Sequence, residues 1–444
     1  MKKTTLIPLL LLVAMVGFSQ SRFVLPNNSD TEKIRFKFVN NLIIIPVEIN
    51  GAKLSFLLDS GVRKPIIFNL FKETDSLILR DAEVVYLKGL GEGNPVKALR
   101  SENNIFKVGD ALNAKQTMYA VFDENLNFSP RLGFPVHGIV GYDLFKDFIV
   151  EINYSKSWIK LHNPSAYKYK KCRKCQTFDL EFRNNKPYFN IEVGIAGKKT
   201  PVKLLIDSGG TDALWLFEDA EAGLLSGDNY FEDFLGHGLN GSVYGKRSRV
   251  DKVYLNTFEL ANVNVAFPDS TSVAHAKNIQ DRNGSFSGEL IKRFNVIMDY
   301  KNAKITLKKN KFFDKPFSYN KAGIELQQSG IRVVREQQAH AKTQGVAAYK
   351  SNKGQVNFMT KSGYKLVVKP AFSIVEIRKG SPADRIGLMV GDVIISVNGK
   401  ATQRYTLQKV LRFFYDEAGK RIRLKVERQG IPLTFVFRLE DPLK

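Results

Sequence analysis

The sequence predicts a mainly β protein, two duplicated β lobes followed by a smaller α+β domain, and three observations carry that expectation. Short apolar runs rich in Val, Ile and Phe alternate with Gly and Asn turns along most of the chain. One arrangement of such runs occurs twice at a near-constant offset. The last third changes character, with strands separated by Gly-Asp and Asn-Gly turns and by two short helical stretches.

At 444 residues the chain exceeds the usual size of one hydrophobic core, so several domains are expected. A hydrophobic content of 43% excludes a disordered or fibrous chain. The 67 Lys and Arg against 44 Asp and Glu give a formal charge of +23, which favours anionic surfaces or acidic peptides. These basic residues are spread along the whole length, and no nucleic-acid-binding module gathers them, so no nucleic acid partner is expected.

Residues 1–20 read as a signal peptide, in which Lys2 and Lys3 precede an apolar run at 6–18 and a small-residue cleavage region. That run is too short to span a bilayer, and no later apolar run reaches 18 residues. The expectation is an exported protein, periplasmic or secreted, with no stable membrane span.

The first lobe, residues 22–161, has two strand-like runs around Gly51, then Leu58-Asp59-Ser60-Gly61, an exit strand through Ile66 and Phe68, and later Gly138-Ile139-Val140-Gly141. The second, residues 178–310, repeats this order with Ile206-Asp207-Ser208-Gly209, Leu214 and Phe217, and Gly284-Ser285-Phe286-Ser287. The offset is 148 residues between Asp59 and Asp207 and 146 between Gly138 and Gly284. One Asp-Ser-Gly is common by chance; two with the same approach, exit and later partner mark a duplication.

Each copy also carries a glycine-punctuated turn, with Gly89 and Gly91 near Tyr86 in the first and Gly236 and Gly238 near Tyr244 in the second. Residues 236–241 fit a dinucleotide fingerprint in spacing. That motif needs a following helix, whereas residues 243–255 are rich in β-branched and aromatic side chains, so a hairpin tip is expected.

Between the lobes, residues 162–177 form a linker holding the two cysteines of the chain, Cys172 and Cys175. A zinc site needs about four ligands, and a redox pair would open a helix in a βαβ unit. Neither context is present, so a local disulfide or inert thiols are expected, with no metal and no cofactor.

After a second linker at 311–320 comes a domain at 321–442 with an insertion near 327–367. Ser381 before Pro382 suits a helix start, since Ser caps and Pro fits the first turn. Gly391-Asp392 and Asn398-Gly399 bracket an apolar strand, and a second helix is expected from about Thr406 to Tyr415.

The duplicated Asp-Ser-Gly segments resemble the retropepsin and pepsin superfamily of aspartic proteases, in the bacterial two-repeat form followed by a PDZ domain. The resemblance covers roughly residues 35–310, and the string from Gly380-Ser381-Pro382-Ala383 to Asn398-Gly399 is similar to a PDZ domain. It implies a bilobal acid-protease fold in which Asp59 and Asp207 form one catalytic dyad, supported by Ser60, Gly61, Ser208 and Gly209. Two carboxylates a few ångströms apart share a proton, so one serves as base toward a water and the other as acid toward the scissile carbonyl. It further implies flaps with tips at Gly89, Gly91, Gly236 and Gly238, and peptide binding by strand addition near Gly323, Ile324 and Leu326. The implied function is an aspartic endopeptidase acting on a peptide or protein substrate. A C-terminal or extended peptide ligand would occupy the PDZ part. Because one chain supplies both aspartates, a monomer is expected.

Two departures from that pattern create expectations of their own. Arg63 and Lys64 follow the first Asp-Ser-Gly, and a cation there would lower the dyad's pKa. Ser285-Phe286-Ser287 lacks the glycine expected beneath Asp207, which would alter the support of that loop. The alternative reading is a catalytically inactive peptide-binding or chaperone-like protein that uses the cleft and the PDZ groove.

Overall fold

The computed structural model describes residues 21–26, 29–68, 79–123, 126–274, 281–337 and 364–443. The expected leader at 1–20 and residues 338–363 of the expected insertion lie outside these residues. The protein is mainly β. It divides into two compact units, one built on residues up to Ser129, Phe134–Tyr319 and from Asp441, the other on Pro130–Gly133 and Asn320–Glu440.

The first unit contains two eight-stranded sheets with one strand order. In the first repeat the order is Lys37–Val39, Leu42–Ile49, Ala52–Leu58, Gly138–Val140, Ile66–Ile67, Ala111–Val121, Val96–Val108 and Glu83–Leu87. In the second it is Glu181–Arg183, Lys186–Ile195, Lys198–Asp207, Gly284–Ser287, Leu214–Leu216, Phe258–Pro268, Gly241–Leu255 and Phe231–Gly238. Local chemistry sets the hairpins. Asn50-Gly51 and Ala196-Gly197 both take positive φ at each residue, as a two-residue turn between right-twisted strands requires. The strand that ends in each Asp-Ser-Gly is buried at Phe56 and Leu58, or at Leu204 and Ile206, and gains a parallel partner beside it.

A six-stranded sheet joins the repeats, in the order Thr31–Arg35, Trp158–His162, Ile149–Asn153, Phe294–Asp299, Lys304–Lys309 and Cys175–Asp179. Its central seam pairs Val150 with Met298 and Ile152 with Val296. One continuous core runs from Phe23 and Ile34 through Val150 to Phe294 and Leu307. Cys172 and Cys175 form a disulfide, the first of the two outcomes expected for that pair.

The second unit has its own core of Ile324, Phe372, Ile374, Ile394, Val410, Phe414 and Leu424. Its sheet runs Ile324–Gln337, Tyr364–Ile377, Val393–Val397, Arg421–Arg428 and Ile431–Arg438, so Ile324–Gln337 is an edge strand. Ser381 caps the helix Pro382–Arg385 by accepting from the Asp384 N–H, and Thr406 caps Leu407–Leu411, which continues as a 3-10 turn to Tyr415. Over its described residues the insertion prolongs the pairing of Ile324–Gln337 with Tyr364–Ile377 into an arm.

Candidate functional site

Each Asp-Ser-Gly leaves its strand into a tight turn closed by its own carboxylate. The Gly61 N–H donates to Asp59 Oδ1 at 2.7 Å and the Gly209 N–H to Asp207 Oδ1 at 3.0 Å. The two turns are then crossed. Ser60 Oγ donates to the Ile206 carbonyl at 2.7 Å and accepts from the Ser208 N–H at 3.0 Å. Ser208 Oγ reciprocates, donating to the Leu58 carbonyl at 2.8 Å and accepting from the Ser60 N–H at 3.0 Å. Both serines are fully buried, so these four bonds fix one loop against the other without competition from water.

This brings the two aspartates together. A Cβ on Gly61 would lie 3.1 Å from Asp59 Oδ1 and 3.7 Å from Asp207 Oδ1, and a Cβ on Gly209 would run into the Asp59 carboxyl. Glycine is therefore required at Gly209 by space, while at Gly61 a side chain would press on the Asp59 carboxyl. Burial raises the Asp59 carboxyl to about 7, the Asp207 charge pushes the same way, and the Gly61 N–H and Lys186 oppose. Asp207 is also raised by burial, with Arg282, the Gly209 and Gly210 N–H groups and Lys186 opposing. Both carboxyls are thus held above the ordinary carboxylate range and titrate as a pair.

Arg63, the cation expected to lower the dyad, is exposed, and the Asp59 carboxyl moves up instead. Lys64 is drawn away to Asp143, 3.0 Å from each oxygen. The cations that do act on the dyad are Lys186 and Arg282, which the sequence reading missed. Lys186 opens the strand after the Asn184-Asn185 turn, and Arg282 folds back along its own chain to Ser285 Oγ at 2.9 Å and the Gly284 carbonyl at 3.2 Å.

The support beneath Asp207 is also built differently from the expectation. Gly141 faces Val62 in the first repeat, and a Cβ there would collide with the Asp59 carbonyl and sit 2.7 Å from Val62 Cγ1. At the equivalent place in the second repeat the partners are exchanged: Ser287 carries the side chain and Gly210 faces it, with space for a Cβ only 3.0 Å from Ser287. The glycine is present but comes from the facing loop. Matching backbone bonds survive, Tyr142 N–H to the Val62 carbonyl at 3.0 Å and Gly288 N–H to the Gly210 carbonyl at 2.9 Å.

The glycine-rich turns form two antiparallel hairpins whose tips meet. Asn240 is the hub: its Oδ1 accepts from Gly89, its Nδ2 donates to the Asn94 carbonyl at 2.5 Å, and its main chain bonds Leu90 and Gly93 at 2.8 and 2.7 Å. Gly89, Gly91 and Gly238 lie where a Cβ would strike the opposing tip, whereas Gly236 sits at a bulge with open space around it. Leu90 packs with Trp215, Phe217 and Leu235 of the second repeat, and Leu239 with Ala98, Val121 and Leu126 of the first. Tyr86 is exposed, and Tyr244 packs edge-on against Phe234. A cavity of about 1170 Å³ is lined mainly by residues 93–99 and 237–242, and neither aspartate is in its wall.

In the second unit, Gly323, Ile324 and Leu326 stand at the start of the edge strand Ile324–Gln337. Ile324 and Leu326 are buried in the core. The Ala322 and Gly323 N–H groups both donate to Asn320 Oδ1, at 3.1 and 3.0 Å. Asp392, buried under the Gly391 turn, holds Arg428 through two bonds of 2.7 and 2.8 Å and accepts from the Met389 N–H. Asn398 and Gly399 make the positive-φ turn that returns the chain into the sheet. Asp392, Arg428, Asn398 and Gly399 fall within the stretch that matches the family model of the PDZ domain, and residues 373–428 are a PDZ domain; Asn320 to Leu326 precede that stretch.

Proposed function

We propose that the first unit is an aspartic endopeptidase of the retropepsin and pepsin kind, bilobal within one chain, and that the PDZ domain recruits peptide segments to it. The observation that carries the reading is the crossed Ser60 and Ser208 network, which brings two partly buried carboxyls together, both raised above the ordinary range. A water between Asp59 and Asp207 loses its proton to the charged carboxylate while the protonated one hydrogen-bonds the scissile carbonyl. No covalent intermediate forms. Lys186 and Arg282 favour the singly charged pair by opposing its full protonation. The hairpins, held by Asn240, must part to admit an extended chain and then exclude water from it. Export to a periplasm or to the medium belongs to the same proposal, motivated by residues 1–20 and consistent with the Cys172–Cys175 disulfide.

Cleavage of an unfolded protein such as reduced casein, followed by mass spectrometry, tests the reading. Asp59→Asn and Asp207→Asn should each lose activity by roughly a thousandfold while keeping the wild-type circular dichroism. Equal cleavage by wild type and both variants removes the dyad from the chemistry.

A further inference from the structure

Strand addition to a PDZ domain comes in two chemistries. Either a chain end is captured, its carboxylate received by free main-chain N–H groups at the start of the edge strand, or an internal segment runs along the edge with no charge to place. The start of the edge strand Ile324–Gln337 is already filled from within. Asn320, 7% exposed, takes the Ala322 and Gly323 N–H groups on Oδ1. Its Nδ2 donates to the Ile324 carbonyl at 2.7 Å. The Gly323 carbonyl accepts from Arg378 on the neighbouring strand, so by alternation the Ile324 carbonyl faces the open edge. The side-chain amide thus covers two of the donors and the first acceptor beside the start of that edge. Three neighbouring groups are engaged too: the Lys321 N–H donates to the Phe414 carbonyl, the Ala322 carbonyl accepts from Ala383, and Arg378 Nη2 donates to the Asn320 carbonyl.

Beyond this plug the edge continues. The strand is 14 residues long, pairs on one side only among the described residues, and carries Ile331 and Val333 at 70% and 65% exposure. A chain end occupies a few residues of such an edge, whereas a segment passing through can use its length.

We propose that Asn320 is a specificity-determining residue that closes the PDZ edge to chain-terminal carboxylates and leaves it to internal, extended segments with alternating apolar residues. This rests on the peptide-binding reading of the PDZ domain. A buried carboxylate meeting donors that are already bonded loses its charge-assisted contacts, a penalty of roughly tenfold or more in affinity.

The test uses the full chain carrying Asp59→Asn, to prevent cleavage, and a fluorescein-labelled set of twelve-residue peptides with alternating Val and Thr, each made as free acid and as C-terminal amide. Anisotropy titration should give acid and amide equal affinity within about twofold for this protein. In Asn320→Gly, which frees the Ala322 and Gly323 N–H groups, the acids should bind roughly tenfold more tightly than the amides. Asn320→Asp, which keeps an acceptor for the two N–H groups, should retain the indifference. A tenfold preference for acids without the Asn320→Gly change overturns the proposal, and so does an unchanged ratio in that variant. Binding of neither form overturns the peptide-binding reading and the proposal with it.

Discussion

The two repeats of the first unit keep the same strand order and matching hydrogen bonds at their Asp-Ser-Gly turns, yet exchange the residues that fill equivalent places. Val62 against Gly141 becomes Gly210 against Ser287. Ser287 is in ordinary extended backbone at φ −117° and ψ −173°, where Gly141 is at φ −153° and ψ −108°. His137, whose Nδ1 accepts from the Ser55 N–H, becomes Asn283, whose Oδ1 accepts from the Lys203 N–H. The Lys64–Asp143 ion pair becomes Asp212 beside Glu289, two acids that need Arg247, Lys292 and Arg293 for compensation. The comparison teaches that a glycine is kept somewhere in the packed pair while charge is balanced from outside it, so neither partner alone reveals whether a site is intact.

The charge exchange offers the largest stability effect. Arg247 bridges Asp212 and Asp233 at 2.8 and 2.9 Å, and burial leaves those acids little water to replace it. Arg247→Met should cost about 3 kcal/mol in urea unfolding. Lys64→Met should cost about 1 kcal/mol, because Asp143 keeps Gln116 and Lys146. Equal losses would show that the two arrangements are electrostatically alike.

The glycine exchange comes next. Gly141→Ala forces a methyl into the Asp59 carbonyl and should cost about 3 kcal/mol, while Ser287→Gly should cost about 1 kcal/mol, read from chemical unfolding midpoints. If the double variant Val62→Gly, Gly141→Ser regained most of the loss, the two solutions would be interchangeable.

The dyad gives a pH signature. A carboxyl raised to about 7 in the folded state and ordinary in the unfolded state binds more protons when folded, so its contribution to stability is present at low pH and is lost as pH rises from about 4 through 7. Melting temperature should fall across that window, and Asp59→Asn should flatten the slope. The smallest effect belongs to Arg63→Ala, which should leave the pH–rate profile in place because that side chain is exposed.

Much of this was legible along the chain because it is local. Asp-Ser-Gly turns, Asn-Gly hairpins and the Ser381-Pro382 helix start are each decided by a few adjacent residues. What escaped is set by approach across sequence. Lys186 and Arg282 reach the dyad from a hairpin and a strand start far from either Asp-Ser-Gly, and nothing in their neighbours marks them. Gly210 was overlooked as the counterpart of Ser287, though aligning the repeats as pairs of positions would have found it. Asn320 was absorbed into a linker because a side chain that bonds Ala322, Gly323 and Ile324 has no periodicity to detect.

The seam between Ile149–Asn153 and Phe294–Asp299 has a consequence for how the chain is made. These strands are neighbours in one sheet but nearly 150 positions apart along the polypeptide, so the sheet closes only after most of the second repeat has been synthesised. Until then the first repeat presents Ile149–Asn153 as a bare edge with Val150 and Ile152 ready to pair with any other extended chain. Folding of this protein is therefore a race between its own second half and its neighbours, and conditions that slow synthesis or crowd nascent chains should lower the yield before they touch the finished molecule.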